Sequence, residues 1–291
     1  MRPMKNLCMK RAMPYIWLMP AFLLFFIFTF YPFIQTIYKS LFIVNARGEI
    51  KSFVGFENYR YILSDEKFVI AIRNTLVFTV LTVPTSKILG FLLALLANKR
   101  RPCSVVYETS FALPMAMASS VIAMIFQLIF VNPLGILNGL TNLRIPWLTD
   151  SKYALFAIAI VQIWLSTGYA FVFLLSAVRS VPNDILESAS IDGASPARKM
   201  ISIYLPMITP TLFYLCFTDL AYSMMMMSLV NVLTAGGPNN ATMTIMQYIF
   251  RQFAGAGNYT NANPAAFIAF VMTFLCTMLT FLWEKNGVHY Q

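Results

Sequence analysis

Six long apolar stretches constrain what this chain can become: residues 15–38, 70–97, 110–131, 153–178, 207–233 and 265–283. Each is close to or above the roughly 20 residues that a helix needs to cross a bilayer. Inside hydrocarbon every backbone N–H and C=O must be bonded, which leaves helices and closed barrels as spanning structures. The stretches lack the alternation of period two that marks a barrel strand, so they predict an all-α polytopic membrane protein with six transmembrane helices. Composition agrees, since 59% of the 291 residues are hydrophobic and only 11% charged, more apolar surface than a soluble domain of this length can hide. Pro20, Pro32, Pro84, Pro114 and Pro210 interrupt the spans; ordinary kinks and functional hinges are both open readings.

Lys and Arg set the expected orientation. Arg2, Lys5, Lys10 and Arg11 precede the first span, and Lys99, Arg100 and Arg101 crowd the short connection between the second and third. By the positive-inside rule both belong in the cytoplasm, so the C-terminus returns to the same side. Arg47, Lys51, Arg60 and Lys67 lie in an outer loop, interleaved with Glu49, Glu57, Asp65 and Glu66, where the rule is weak. The net charge of +10 reads as anchoring beside anionic lipid and requires no nucleic acid. A basic start followed by an apolar run resembles a signal peptide, but the run exceeds the usual length and no small-residue cleavage site follows, so it reads as span one.

Catalytic chemistry is poorly supplied. The one histidine is His289, and Cys8, Cys103, Cys216 and Cys276 show no spacing for a metal or redox pair. There is no phosphate-binding loop and no nucleophile elbow. The chain reads as a non-enzyme without a cofactor.

The most polar passage of the second half, ESASIDGASPARKMISIYLP from Glu187 to Pro206, lies on the cytoplasmic side between spans four and five. Pro182 suits the first turn of a helix that Asp184 and Glu187 complement electrostatically, and Gly193 offers the left-handed conformation that ends it. Ser195 and Pro196 then begin a second short helix, expected to stop before Pro206. Such a helix–turn–helix either lies on the lipid surface or docks a protein. Asp184, Glu187 and Asp192 are repelled by anionic lipid, which favours docking.

This passage resembles the EAA loop of the membrane subunits of ABC importers: Glu-Ala-Ala, three residues, Gly, nine residues, Ile, any residue, Leu-Pro. Glu187, Ala189, Gly193, Ile203, Leu205 and Pro206 fall in register, with Ser188 in place of the first Ala. Asp192, Gly193 and Ala194 resemble the carbohydrate-type branch. FVGFENY at 53–59, NTLVFT at 74–79, NPLG at 132–135, PWLTD at 146–150 and LTAGGP at 233–238 extend the likeness along nearly the whole chain. Within that branch the glycerol-3-phosphate permeases are most similar, partly through the closing VHYQ.

The resemblance implies a single permease domain over residues 1–291 in a bacterial-type inner membrane. It further implies a second homologous permease, two ATPase subunits and an extracytoplasmic solute-binding protein as partners. Residues 182–206 would form the loop that docks into the ATPase, with Glu187, Ser188, Ala189, Asp192 and Gly193 at the contact. The solute would be a carbohydrate or a glycerol-3-phosphate-like molecule.

Ionisable residues inside spans are costly and point to function: Arg73 and Lys87 in span two, Asp219 in span five. A structural Lys87–Asp219 pair, a snorkelling Arg73 and a solute path are all open, and Lys87 is deep enough to meet a phosphate. Before LTAGGP, where sugar permeases resembling this chain mix aromatic and polar residues, stand Met224 to Met227; Ser228 and Asn231 are the remaining polar candidates. Residues 234–263 read as an irregular outer loop with some helix near 242–253. A stand-alone secondary transporter and a membrane scaffold are the rival functions. The former is expected to show internal inverted repeats, and none is visible between the halves.

Overall fold

The computed structural model describes residues 5–99, 102–141 and 144–287. Arg2, Arg100, Arg101, His289 and the closing VHYQ lie outside the described residues, as do the side chains of Lys5, Cys8, Lys10 and Arg11. Among the described residues four helices are long and apolar enough to cross a membrane, or up to six if each of two bent helix pairs counts as one span. The chain divides into two compact units, residues up to 62 with 251–268, and residues 63–250 with 269 onward.

In the first unit, α1 (Lys5–Phe25) runs through a π-helical turn (Phe26–Phe30) into α2 (Tyr31–Ser40). Pro32 stands in the first turn of α2, where its missing N–H costs little. Residues 13–32 are exposed throughout, so this part of the span offers its surface to lipid or to another chain. The expected loop after it contains a hairpin, which amends the all-α reading: β1 (Phe42–Val44) pairs antiparallel with β2 (Ile50–Phe53), with an irregularity between Ile43 and Val44. Asn45 shapes its turn, its Oδ1 accepting from the backbone N–H groups of Arg47 and Glu49. Thr260 Oγ1 bonds both the N–H and the C=O of Val44, tying the strand to the start of the last helix. Asn58, on α3 (Glu57–Ser64), closes the far side by donating to the carbonyls of Ser40 and Phe42.

The second unit is built on two long helices, α4 (Glu66–Asn98) and α8 (Ala154–Arg179). Asp65 caps α4 by accepting from Lys67 N. Gly90 lets the two backbones approach closely: a Cβ there would stand 2.7 Å from Ala170 Cβ and 3.2 Å from Phe171 N. This is the small-residue contact by which membrane helices gain packing.

Span three does not form one helix. α5 (Ser104–Ala112) continues as a 3₁₀ turn (Leu113–Ala116), the chain then extends at Met117 and Ala118, and α6 (Ser119–Phe130) leaves at 105°. Pro114 breaks the helical ladder, and Gly168 of α8 makes room for the elbow, since a Cβ there would lie 3.0 Å from Pro114 Cβ. α7 (Ile136–Thr141) follows α6.

Span five is also broken. Beyond α9 (Asn183–Ile191), the helix α10 (Pro196–Lys199) passes through a π-helical turn (Met200–Tyr204) into α11 (Leu205–Met207), then bends by 69° into α12 (Thr209–Met224). The helix that was to stop before Pro206 therefore runs past it, the π-turn rearranging the bonds that a proline disrupts. In the other direction α12 ends at Met224, and α13 (Ser228–Leu233) is separate. Met224 and Met226 are buried and Met225 is exposed, so two of the four methionines pack into the core. In the outer segment α14 (Ile245–Phe250) and a π-turn (Arg251–Gly255) supply the expected helix, and α15 (Tyr259–Gly287) begins six residues before the sequence reading placed span six.

Candidate functional site: an exposed loop helix and a polar cavity

α9 is the helix of the polar passage, and none of its residues is buried. Ile191 is 87% exposed although apolar. Its end is a Schellman turn: Ala194 N bonds Ala189 O, Gly193 N bonds Ser190 O, and Gly193 takes φ +73°. Ser195 Oγ then accepts from Arg198 N and starts α10. Lys199 reaches back from α10 to donate to Leu186 O at 3.1 Å and to Ser190 Oγ. The turn is thus fixed at three points while Glu187, Ser188 and Asp192 remain exposed and Ala189 half-buried.

The intramembrane charges meet. Lys87 Nζ lies 2.6 Å from Asp219 Oδ2, with side chains only 5% and 11% exposed. Ser86 Oγ donates to the same oxygen at 3.3 Å, and Ser166 Oγ donates to Asp219 Oδ1 at 3.0 Å while accepting from Gln162 Nε2 at 2.9 Å. One turn along, Thr82 Oγ1 and Ser223 Oγ are 3.1 Å apart, so a polar seam joins α4 to α12. Arg73 is exposed and stands outside this network.

Asp219 faces a cavity of about 390 Å³ enclosed by the elbow of span three, α8 and α12. Gln162, Ser166 and Tyr169 line it at four- and three-residue spacing on one face of α8, as Thr218, Asp219 and Tyr222 do on α12. Among the described residues Gln162 Oε1 is buried and has no hydrogen-bond partner. Lys87, 4% exposed, sits behind Asp219 rather than in the cavity wall.

Asn231 is apart from this site. It accepts from Gln247 Nε2 at 3.1 Å and lines a second cavity of about 480 Å³ with Gln127, Asn132 and Thr149. Ser228 begins α13, half-buried.

Gln162, Ser166 and Tyr169 escaped the sequence reading, although their spacing drew a polar stripe down an apolar span. Arg179 and Glu108 escaped it too. Arg179 grips Glu108 with two nitrogens, at 2.7 and 3.2 Å, and donates to Ala97 O at 3.1 Å. This bidentate contact links α8, α5 and the end of α4.

Residues 87–286 match the family described as the binding-protein-dependent transport system inner membrane component. The sn-glycerol-3-phosphate transport system permease protein UgpA of Pectobacterium atrosepticum is 30% identical, over 96% of this chain and 96% of that protein. A probable ABC transporter permease of Pyrococcus horikoshii is 30% identical over 96% of this chain and 99% of its own length. Among solved structures, a chain of a bacterial alginate ABC transporter in complex with an alginate-pentasaccharide-bound periplasmic protein superposes with TM-score 0.84 at 22% identity, covering 98% of both chains. The chain belongs to the inner-membrane component family of binding-protein-dependent transport systems. It is a multi-pass permease of an ABC importer, a transport component rather than an enzyme.

Proposed function

We propose that this chain is one half of a heterodimeric permease in a bacterial-type inner membrane, with six spans, both termini cytoplasmic, and residues 182–206 as its coupling loop. The bent pairs count as spans three and five in this reading. A second homologous permease completes the path, two ATPase subunits dock on the cytoplasmic side, and an extracytoplasmic binding protein delivers a carbohydrate or glycerol-3-phosphate-like solute. Lys99 beside the connection to span three supports the orientation. The names of the relatives support the solute range and the binding protein.

The observation that carries this reading is α9: a wholly unburied helix whose end is locked by Gly193, Ser195 and Lys199. A rigid unit with an unpartnered face transmits motion, whereas a flexible loop absorbs it. Alternating access requires the ATPase to bind the inward- and outward-facing states with different affinity, and a shift from 1:99 to 99:1 takes about 5.5 kcal/mol of difference. Glu187, Ser188, Ala189, Asp192 and Gly193 form the face through which that difference is applied. Lys87, Asp219, Ser228 and Asn231 belong to the solute path, Asp219 at the cavity and Asn231 at the second one.

Affinity purification of the tagged chain from its membrane tests the assembly. An ATPase and a second permease should accompany it in stoichiometric amount. Isolation of a single-chain transporter that moves solute without ATP would establish the secondary-transporter reading instead.

A further inference from the structure

The Lys87–Asp219 pair changes what the cavity can accept. A deep lysine by itself suggests a phosphate site, but here the ammonium is 2.6 Å from a carboxylate and only the carboxylate lines the cavity. A phosphate oxygen entering from the cavity would meet Asp219 first. An anion therefore meets a carboxylate, and a cation finds that carboxylate already matched by Lys87 behind it.

The polar groups around Asp219 add no charge to the pair. Asp219, as a carboxylate, accepts only. Ser166 Oγ has already spent its proton on Asp219, and Thr218 Oγ1 donates to Tyr214 O. Of the other lining residues, Ser119 and Tyr222 carry neutral hydroxyls that both donate and accept, as the hydroxyls of a sugar do. Tyr169 and Tyr222 add aromatic wall, which suits the C–H faces of a neutral polyhydroxyl compound.

We propose that Asp219 is a specificity-determining residue: by neutralising Lys87 from the cavity side it makes this chain's part of the path electroneutral, admitting neutral polyols and sugars and rejecting phosphate monoesters. The inference rests on the permease reading above. It narrows the solute class that the names of the relatives leave open, and it assigns the choice to one carboxylate.

The test is equilibrium dialysis on the purified complex in nanodiscs, without ATP, with labelled sn-glycerol-3-phosphate and labelled maltose as probes. The wild type is expected to hold the ester no better than Lys87→Met/Asp219→Leu, in which both charges are gone. Asp219→Asn uncovers the ammonium and should tighten ester binding at least about tenfold, with maltose binding weakened or unchanged. If Asp219→Asn fails to accumulate in the membrane, Asp219→Ser, which leaves room for water around Lys87, replaces it. Equal ester binding by the wild type and Asp219→Asn (or Asp219→Ser) overturns the proposal, as does ester binding by the wild type tighter than that of Lys87→Met/Asp219→Leu. Because dialysis needs no ATP turnover, a complex that binds as expected but lacks binding-protein-stimulated ATP hydrolysis refutes the importer assembly alone. Normal stimulation with no charge selectivity refutes the filter alone.

Discussion

Removing one member of the buried pair should damage the protein far more than removing both. At the observed 2.6 Å and an effective dielectric of about 20, the Coulomb attraction is about 6 kcal/mol. Most of that offsets the cost of taking two ions out of water. Lys87→Met alone leaves Asp219 with only the hydroxyls of Ser86 and Ser166, and Asp219→Leu alone leaves Lys87 with the hydroxyl of Ser86. Each single change is expected to cost about 3–5 kcal/mol, the usual penalty for stranding a buried charge. The double variant replaces the pair with apolar side chains of similar length and should cost about 1 kcal/mol or less, giving a coupling energy of several kcal/mol. Thermal unfolding in mild detergent, followed by intrinsic fluorescence at fixed detergent and lipid, measures it. Two low melting points and a near-normal third are the expected pattern. Additive losses would refute the reasoning, because additivity means that the residues do not interact.

Three further outcomes follow from the packing. Gly90→Ala should destabilise by about 1–3 kcal/mol despite the gain of about 1 kcal/mol in helix propensity, because the added Cβ meets Ala170 Cβ and the Phe171 backbone rather than a movable side-chain tip; the same thermal assay reads it. Gly193→Val forces a β-branched residue to φ +73° at a cost of about 1–2 kcal/mol and should uncouple uptake at normal membrane levels, while Gly193→Asn, at home in that conformation, should retain most of it; uptake per unit of inserted protein is the measurement. Arg179→Lys keeps the charge but loses the fork onto Glu108 and the bond to Ala97 O, so it should cost about 1 kcal/mol, with Glu108→Gln adding little more in a double-mutant cycle.

What could be read from the sequence was what is local or compositional. Spans one, two, four and six needed only hydropathy, and the turn at Gly193 and the cap at Ser195 are short-range chemistry that the structure reproduces. The breaks in spans three and five were not legible. The chain is apolar on both sides of Met117 and of Met225, so hydropathy marks no break, and whether Pro114 kinks or breaks a helix depends on Gly168, 54 positions away in the sequence. The polar stripe on α8 is interleaved with apolar residues, and a stripe on one helix does not say what it faces. Gln162, Ser166 and Tyr169 therefore passed unnoticed until Asp219 was placed opposite them. For Lys87 the sequence left a phosphate ligand and a pair with Asp219 both open, and only the fold, which joins positions 132 residues apart, shows the pair.

The central claim is that α9 transmits ATP-driven motion, and coupled turnover tests it most directly. The complex would be reconstituted in proteoliposomes with its binding protein, and ATP hydrolysis and solute uptake measured together for the wild type and for Glu187→Arg at equal inserted protein. The account predicts binding-protein-stimulated hydrolysis and uptake in the wild type, and loss of both in Glu187→Arg, with the variant folded and inserted normally. Unchanged stimulation and uptake in Glu187→Arg would show that motion reaches the spans by another route.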